Sequence, residues 1–381
     1  MSYEAENFNK LQFIYLSNHG STGNTFFLSL LDGHEQILNF PGYVDLNFVF
    51  IKKKFFKEYL DAFIVYNPFF FDTTKMKIDS KNHQGLFFLG ENCDEGIKID
   101  SNIFTKFYLE FSENLILSEK NIILSLYYAY AKSINKEINK IKYIIIYAYE
   151  HHNTIKFINR IGNGAVIVLS RNLFNNYISF EKRLKTKLDL RNQDLVEVLD
   201  ESMDYLYNTS KNVTPLIRAR ANFSIIKIED LHNEPEKIMK IFCLLININY
   251  NISLIESSFD GKKYNGHSWD HHQKKLKKFH GFNKNYHNLN HMNKLSDIEK
   301  IQILFIGYFY LISLNYVNKK DIKYFLIRKI FYIFYQNKYE AKILRKNKNL
   351  FSFIKLRVKF IITFLYQFKN LKKIEKSILK I

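Results

Sequence analysis

Four short apolar runs, each leading into a stretch of helical spacing, set the tightest limit on how this chain can fold. Leu11–Leu16, Lys142–Tyr149, Ala165–Leu169 and Phe223–Ile228 are rich in Ile, Val, Leu, Phe and Tyr and too short for helices. A turn with Gly20 and Gly23 follows the first, then a helix-length run from about Thr25 to Leu31. Ile37–Phe40, ahead of Pro41-Gly42, reads as a further short strand, and a helix is expected around Pro235–Leu245. Strands alternating with helices predict an α/β fold, a mostly parallel sheet with helices on both faces. Residues 44–140 carry Phe, Tyr, Leu and Lys at roughly helical spacing and are expected to form a helical insertion.

Composition decides which partners such a fold can take. The formal net charge is +19 over 381 residues. Residues 319–381 hold 18 Lys and Arg against Asp321, Glu340 and Glu375, a net +15, so the rest of the chain is close to neutral. A nucleic-acid-binding surface over the main domain is therefore not expected. Two cysteines, Cys93 and Cys243, make neither a disulfide framework nor a zinc site, and they fit a reducing compartment. Met1–Glu6 is acidic and lacks a basic-then-apolar signal, so a cytoplasmic location is expected.

The chemistry concentrates at strand ends. Phe13–Thr25 has the layout of a strand, a glycine turn and a helix, in which glycines let the backbone approach an anion and free helix N–H groups point at it. The turn has no Gly-Lys-Ser/Thr triplet and is not a Walker A loop. Val166–Ser170 is a strand ending at Arg171, and Ser179 lies eight residues on, in the next helix. An arginine at a carboxyl edge, with a helix hydroxyl nearby, is placed to grip a phosphate. Taken singly, the same residues read as a surface Arg and an ordinary Ser. Glu150, His151 and His152 follow the Tyr149 strand end; they either supply a general base or cap the next helix. His267, Asp270 and His271 offer spacing that metals use, but the segment reads as a polar loop and no metal is expected.

Taken together, these blocks resemble the sulfotransferases that use 3′-phosphoadenosine-5′-phosphosulfate as donor. Ile226–Lys237, IKIEDLHNEPEK, resembles that family's strand-and-turn, and Ser21–His34 resembles its 5′-phosphosulfate loop and helix. Arg171 and Ser179 match its 3′-phosphate pair in spacing, and Phe259–Lys262 falls where the family has a late loop over the nucleotide. The resemblance runs over about residues 11–317 and implies a P-loop-like three-layer α/β sandwich. It implies that the donor's 5′ end sits on Ser21, Thr22, Gly23, Asn24 and Thr25, its 3′-phosphate on Arg171 and Ser179, with Gly261 and Lys262 closing over it. Where the family has Lys or Arg, this chain has Ser21; His19, two residues earlier, or Lys262 is the candidate replacement. Analogy with bacterial relatives makes a carbohydrate or lipid-linked glycan the expected acceptor. The alternative is a weakly active or inactive nucleotide-binding module whose basic carboxyl-terminal tail anchors it to a membrane or a partner.

Domain organisation follows: a catalytic domain over 1–317 and a basic extension over 318–381. Ile301–Asn318 is an uncharged run of 18 residues, interrupted by polar groups, and reads as a core helix. Beyond it, 13 aromatics are interleaved among the 18 cations, and Phe351, Ile354, Val358, Ile361, Leu365 and Phe368 recur at helical spacing. Such a helix suits the surface of an anionic membrane, here the inner face, or docks its apolar stripe on the domain or a second subunit.

Overall fold

The apolar runs form the sheet. In the computed structural model, β1 (Gln12–Asn18), β2 (Ile37–Asn39), β3 (Tyr143–Tyr149), β4 (Ala165–Ser170) and β5 (Phe223–Lys227) pair in the order β2-β3-β1-β4-β5, all parallel. The structure describes residues 3–18, 22–42, 44–71, 86–149, 151–162, 164–179, 223–266, 268–270, 275–277 and 281–283, with Leu295, Lys300, 303–304, 311–312, 314–317 and Val358. Phe13–Leu16, Ile144–Ile146 and Val166–Leu169 are buried without alternation, as strands covered on both faces must be.

Two crossovers explain the cover. α2 (Asn24–Leu31) carries the chain from β1 outward to β2, and α6 (His151–Ile161) carries it from β3 across β1 to β4. α6 packs on β1 and β3, and the buried Thr154 hydroxyl donates to Ser17 Oγ at 2.7 Å. Connections from β1 and β4 therefore leave in opposite directions. That makes the space outside their carboxyl ends the crevice where α/β sheets bind ligands.

The stretch between β2 and β3 contributes helices to the fold. It holds α3 (Phe56–Tyr66), α4 (Ser101–Ser112) and α5 (Glu119–Ser133). Each start has a local cause: Glu58 accepts from the Lys54 and Phe55 amides, Asp100 caps α4 and Ser118 caps α5. α5 is buried from Ile122 to Ala131, so it is a core helix rather than a surface one. The insertion is fastened to the end of β2 by aromatic packing: Phe40 meets Tyr127 at 4.0 Å and Phe70 at 5.2 Å, and Phe63 stacks on Phe104 at 5.5 Å.

The carboxyl-terminal half departs from expectation in two places. After β5 the chain forms two helices, α8 (Ile228–Asn233) and α9 (Pro235–Ile246), where one was expected. Pro235 opens α9 and forces Glu234 out of helical geometry, to φ −130° and ψ 57°, which breaks the run. Ser268–Asp270, expected within a polar loop, pairs antiparallel with Lys275–Lys277. Within the uncharged run, the described Ile303, Leu304, Leu311 and Leu314 are buried, in keeping with a core segment. Among the described residues no helix is long and apolar enough to cross a membrane.

Candidate functional site

The site begins where β1 hands over to α2. Gly23 stands at the N-cap with φ 84° and ψ 20°, a left-handed conformation open to glycine. Its neighbour is equally restrictive, because a Cβ there would lie 2.8 Å from Ile228 Cδ1. Thr22 Oγ1 donates to Asn24 Oδ1 at 3.2 Å, and Phe27 N to Gly23 O at 3.0 Å closes the first helical turn. Among the described residues no side chain caps this helix, and no acidic residue lies in its first turn. The first-turn amides and the positive end of the helix dipole are thus available to an anion.

Beside it, β4 ends at Ser170 and Arg171 follows, half-buried, at the carboxyl edge. Residues 173–179 form α7; Asn172 starts it by accepting from Phe174 N at 3.0 Å, and Ser179 lies half-exposed two turns in. Arg171 is close enough to His232 to affect its ionisation. Burial, reinforced by the Arg171 charge, lowers the His232 imidazole to about 4, so it is neutral near pH 7. Its Nδ1 accepts from Asn283 N at 3.2 Å, and its ring stacks on Phe26 of α2 at 5.0 Å with Phe282 edge-on to both. Phe26, His232 and Phe282 thus form an aromatic group beside the first turn of α2.

The turn and the β4 end are joined by α8. Ile228 packs on Gly23, while the next residue, Glu229, accepts from Asn172 N at 2.8 Å. The structure therefore brings together Thr22, Gly23, Asn24 and Thr25 with Arg171, and it places Ser179 on the helix that follows.

Gly261 and Lys262 are elsewhere. They lie in a tight antiparallel hairpin of β6 (Ser258–Phe259) and β7 (Lys262–Lys263), turned by Asp260 at φ 53° and Gly261 at φ 67°. Asp32, just past the last residue of α2, accepts from Ser258 Oγ at 3.2 Å and from Gly261 N at 3.3 Å. The hairpin thus grips the carboxyl end of α2, about 12 Å along the helix from the turn. Lys262 Nζ donates to Gly96 O at 2.9 Å and lies 3.3 Å from Asp260. Gly261 and Lys262, expected over the nucleotide, thus stand in a hairpin held to the carboxyl end of α2.

His19, Gly20, Ser21 and Glu150 lie outside the described residues, as do His267, His271 and His272. His151 and His152 form the first turn of α6, but their side chains are likewise outside the description. No cluster able to hold a metal occurs among the described residues. Two residues at the site's edge carry little sequence signal: Glu229 is one letter of the IEDLHNEPE motif, and Tyr316 is one of 26 tyrosines with no local pattern.

No family model matches this sequence, and no curated protein matches it. Solved structures do. Three of them are sulfotransferase structures. The sulfotransferase domain from the curacin biosynthetic pathway matches at 15% identity and TM-score 0.36, over 65% of this chain and 77% of that one. The sulfotransferase domain of the Synechococcus PCC 7002 olefin synthase matches at 14% and 0.36, over 65% and 76%. Sulfotransferase STF9 from Mycobacterium avium matches at 11% and 0.39, over 66% and 67%.

Proposed function

We propose that this chain is a sulfotransferase that takes its sulfuryl group from 3′-phosphoadenosine-5′-phosphosulfate and passes it to an acceptor hydroxyl. The reading rests on two features at the carboxyl ends of neighbouring strands: the first turn of α2, with Gly23 at its N-cap, and Arg171 after the end of β4. A donor with phosphates at both ends of its ribose suits two such sites. The reaction is an in-line displacement: the acceptor oxygen bonds to sulfur as the bond from sulfur to the 5′-phosphate oxygen breaks. The hydroxyl proton passes to a base, for which His151 and His152, with Glu150 ahead of them, are the candidates at the β3 end. The α2 amides and helix dipole offset the charge that builds on the departing phosphate, with His19 the proposed cation.

A carbohydrate or lipid-linked glycan is the acceptor we propose, with the basic residues 319–381 holding the enzyme at an anionic membrane face. One observation favours a second reading, a binding module of low activity. Ser21 brings no charge to the turn, and Lys262 is engaged at the far end of α2. The deciding experiment is transfer from labelled donor onto cell-envelope extracts, with calorimetry of 3′,5′-bisphosphoadenosine alongside. Labelled product supports the enzyme; tight binding without product supports the module; no binding removes both.

A further inference from the structure

Glu229 is a carboxylate with 2% of its surface exposed, and both its oxygens are used. Oε1 accepts the backbone N–H of Asn172 at 2.8 Å, and Oε2 accepts the Tyr316 hydroxyl at 2.9 Å. That hydroxyl is also 3.2 Å from Ser170 Oγ. The residues on either side of Arg171 are thus tied to one buried carboxylate, Asn172 directly and Ser170 through Tyr316. The same carboxylate sits one residue after Ile228, which packs on Gly23 of the α2 turn.

Tyr316 reaches this spot because the segment before it ends firmly. Asn315, at φ 55°, closes the helical turn of Leu311 and Ile312, with Asn315 N on Ile312 O at 2.9 Å and Tyr316 N on Leu311 O at 2.8 Å. The Lys227 ammonium lies 5.4 Å from the centre of the Tyr316 ring and donates to Leu314 O at 3.3 Å. A residue 146 positions along the chain from Ser170 is therefore locked against the β4 end.

We propose that Glu229 and Tyr316 are positioning residues that hold Arg171 at the separation from the α2 turn required by a nucleotide phosphorylated at both its 3′ and 5′ positions. The inference rests on the donor class proposed above. It assigns to this pair the discrimination between such a nucleotide and one lacking the 3′-phosphate. Neither residue need touch the ligand. Their effect is to keep the arginine from relaxing towards solvent, so that its contact is made without reorganisation.

The test is calorimetry of the full chain with 3′,5′-bisphosphoadenosine and with adenosine 5′-monophosphate, on the parent and on Tyr316→Phe, Glu229→Ala and Glu229→Gln. Tyr316→Phe keeps the ring beside Lys227 and removes only the hydroxyl. It should cut the preference for the bisphosphate at least fivefold while leaving monophosphate affinity within twofold. Glu229→Ala should do the same or more. Glu229→Gln should restore most of the preference, since its amide can accept from Asn172 N and donate to Tyr316. A folded Tyr316→Phe with the parent's preference, or one losing both nucleotides equally, overturns the positioning role. A parent protein with no preference for the bisphosphate instead sinks the donor assignment. Should Glu229→Ala not fold, Tyr316→Phe and Glu229→Gln still decide the matter.

Discussion

At position 23 two constraints converge on glycine. The left-handed backbone there costs an alanine about 1–2 kcal/mol, and the added methyl meets Ile228 at 2.8 Å, inside contact distance. Gly23→Ala should therefore lower stability by about 2–4 kcal/mol in urea unfolding. Because relief comes by shifting the turn or Ile228, it should also weaken binding of both nucleotides. Arg171 is different, since the partner proposed for it is the ligand's 3′-phosphate. Arg171→Ala should leave the unfolding midpoint nearly unchanged and cost about 2–4 kcal/mol of 3′,5′-bisphosphoadenosine affinity. His232 supplies a pH test. Its folded-state value of about 4 lies below the 6.5 of an ordinary imidazole, so the unfolded chain binds the extra proton between these values. The contribution is fully present above pH 6.5 and is lost as pH falls towards 4, at no more than about 1.4 kcal/mol per pH unit. His232→Phe keeps a ring against Phe26 and should flatten that slope, measured as unfolding free energy against pH.

Among the elements, the hairpin β6–β7 is held by a carboxylate at the carboxyl end of α2. Burial raises the Asp32 carboxyl to about 6, against the opposing pull of the Gly261 amide and the Lys136 charge, whose Nζ also reaches Asp32 O at 3.3 Å. This is a structural clamp on the carboxyl end of α2. Lys262→Ala should leave nucleotide affinity within twofold and lower stability by about 1 kcal/mol through its lost hydrogen bonds. The sheet strands were legible in the sequence because buried parallel strands are written as unbroken apolar runs, and Asn24–Leu31 because its run is long enough for two helical turns. α8 was not, since Ile228–Asn233 is too short and polar to show a helical stripe. The site divides in the same way. Gly23 and Arg171 announce themselves by their place at strand ends. The link from Glu229 to Tyr316 spans 87 residues, and no local pattern carries a contact of that range.

For the molecule as a whole, the charge distribution sets the largest remaining experiment. Residues 319–381, which lie outside the described residues apart from Val358, hold +15 of the +19. If they bind an anionic surface, the full chain should co-sediment with vesicles containing anionic lipid. Much of that binding should vanish at high salt, since each cation near the surface contributes about 1 kcal/mol that screening removes. A chain ending at residue 318 should remain in the supernatant and still bind bisphosphoadenosine. If truncation yields insoluble protein, the segment is part of the core and the membrane role fails.

The strand order also governs how the chain must assemble. β1 is the central strand, yet its two neighbours come from Tyr143–Tyr149 and Ala165–Ser170, so about 125 residues separate it from its first partner. At translation rates of about 5–20 residues per second, the apolar segment Phe13–Leu16 waits roughly 6–25 seconds for a ladder to join. Through that interval it has no strand to pair with and offers bare edges to any other chain. The turn after β1, written near the start of the sequence, can thus take its shape only once the strands on both sides of β1 have been made.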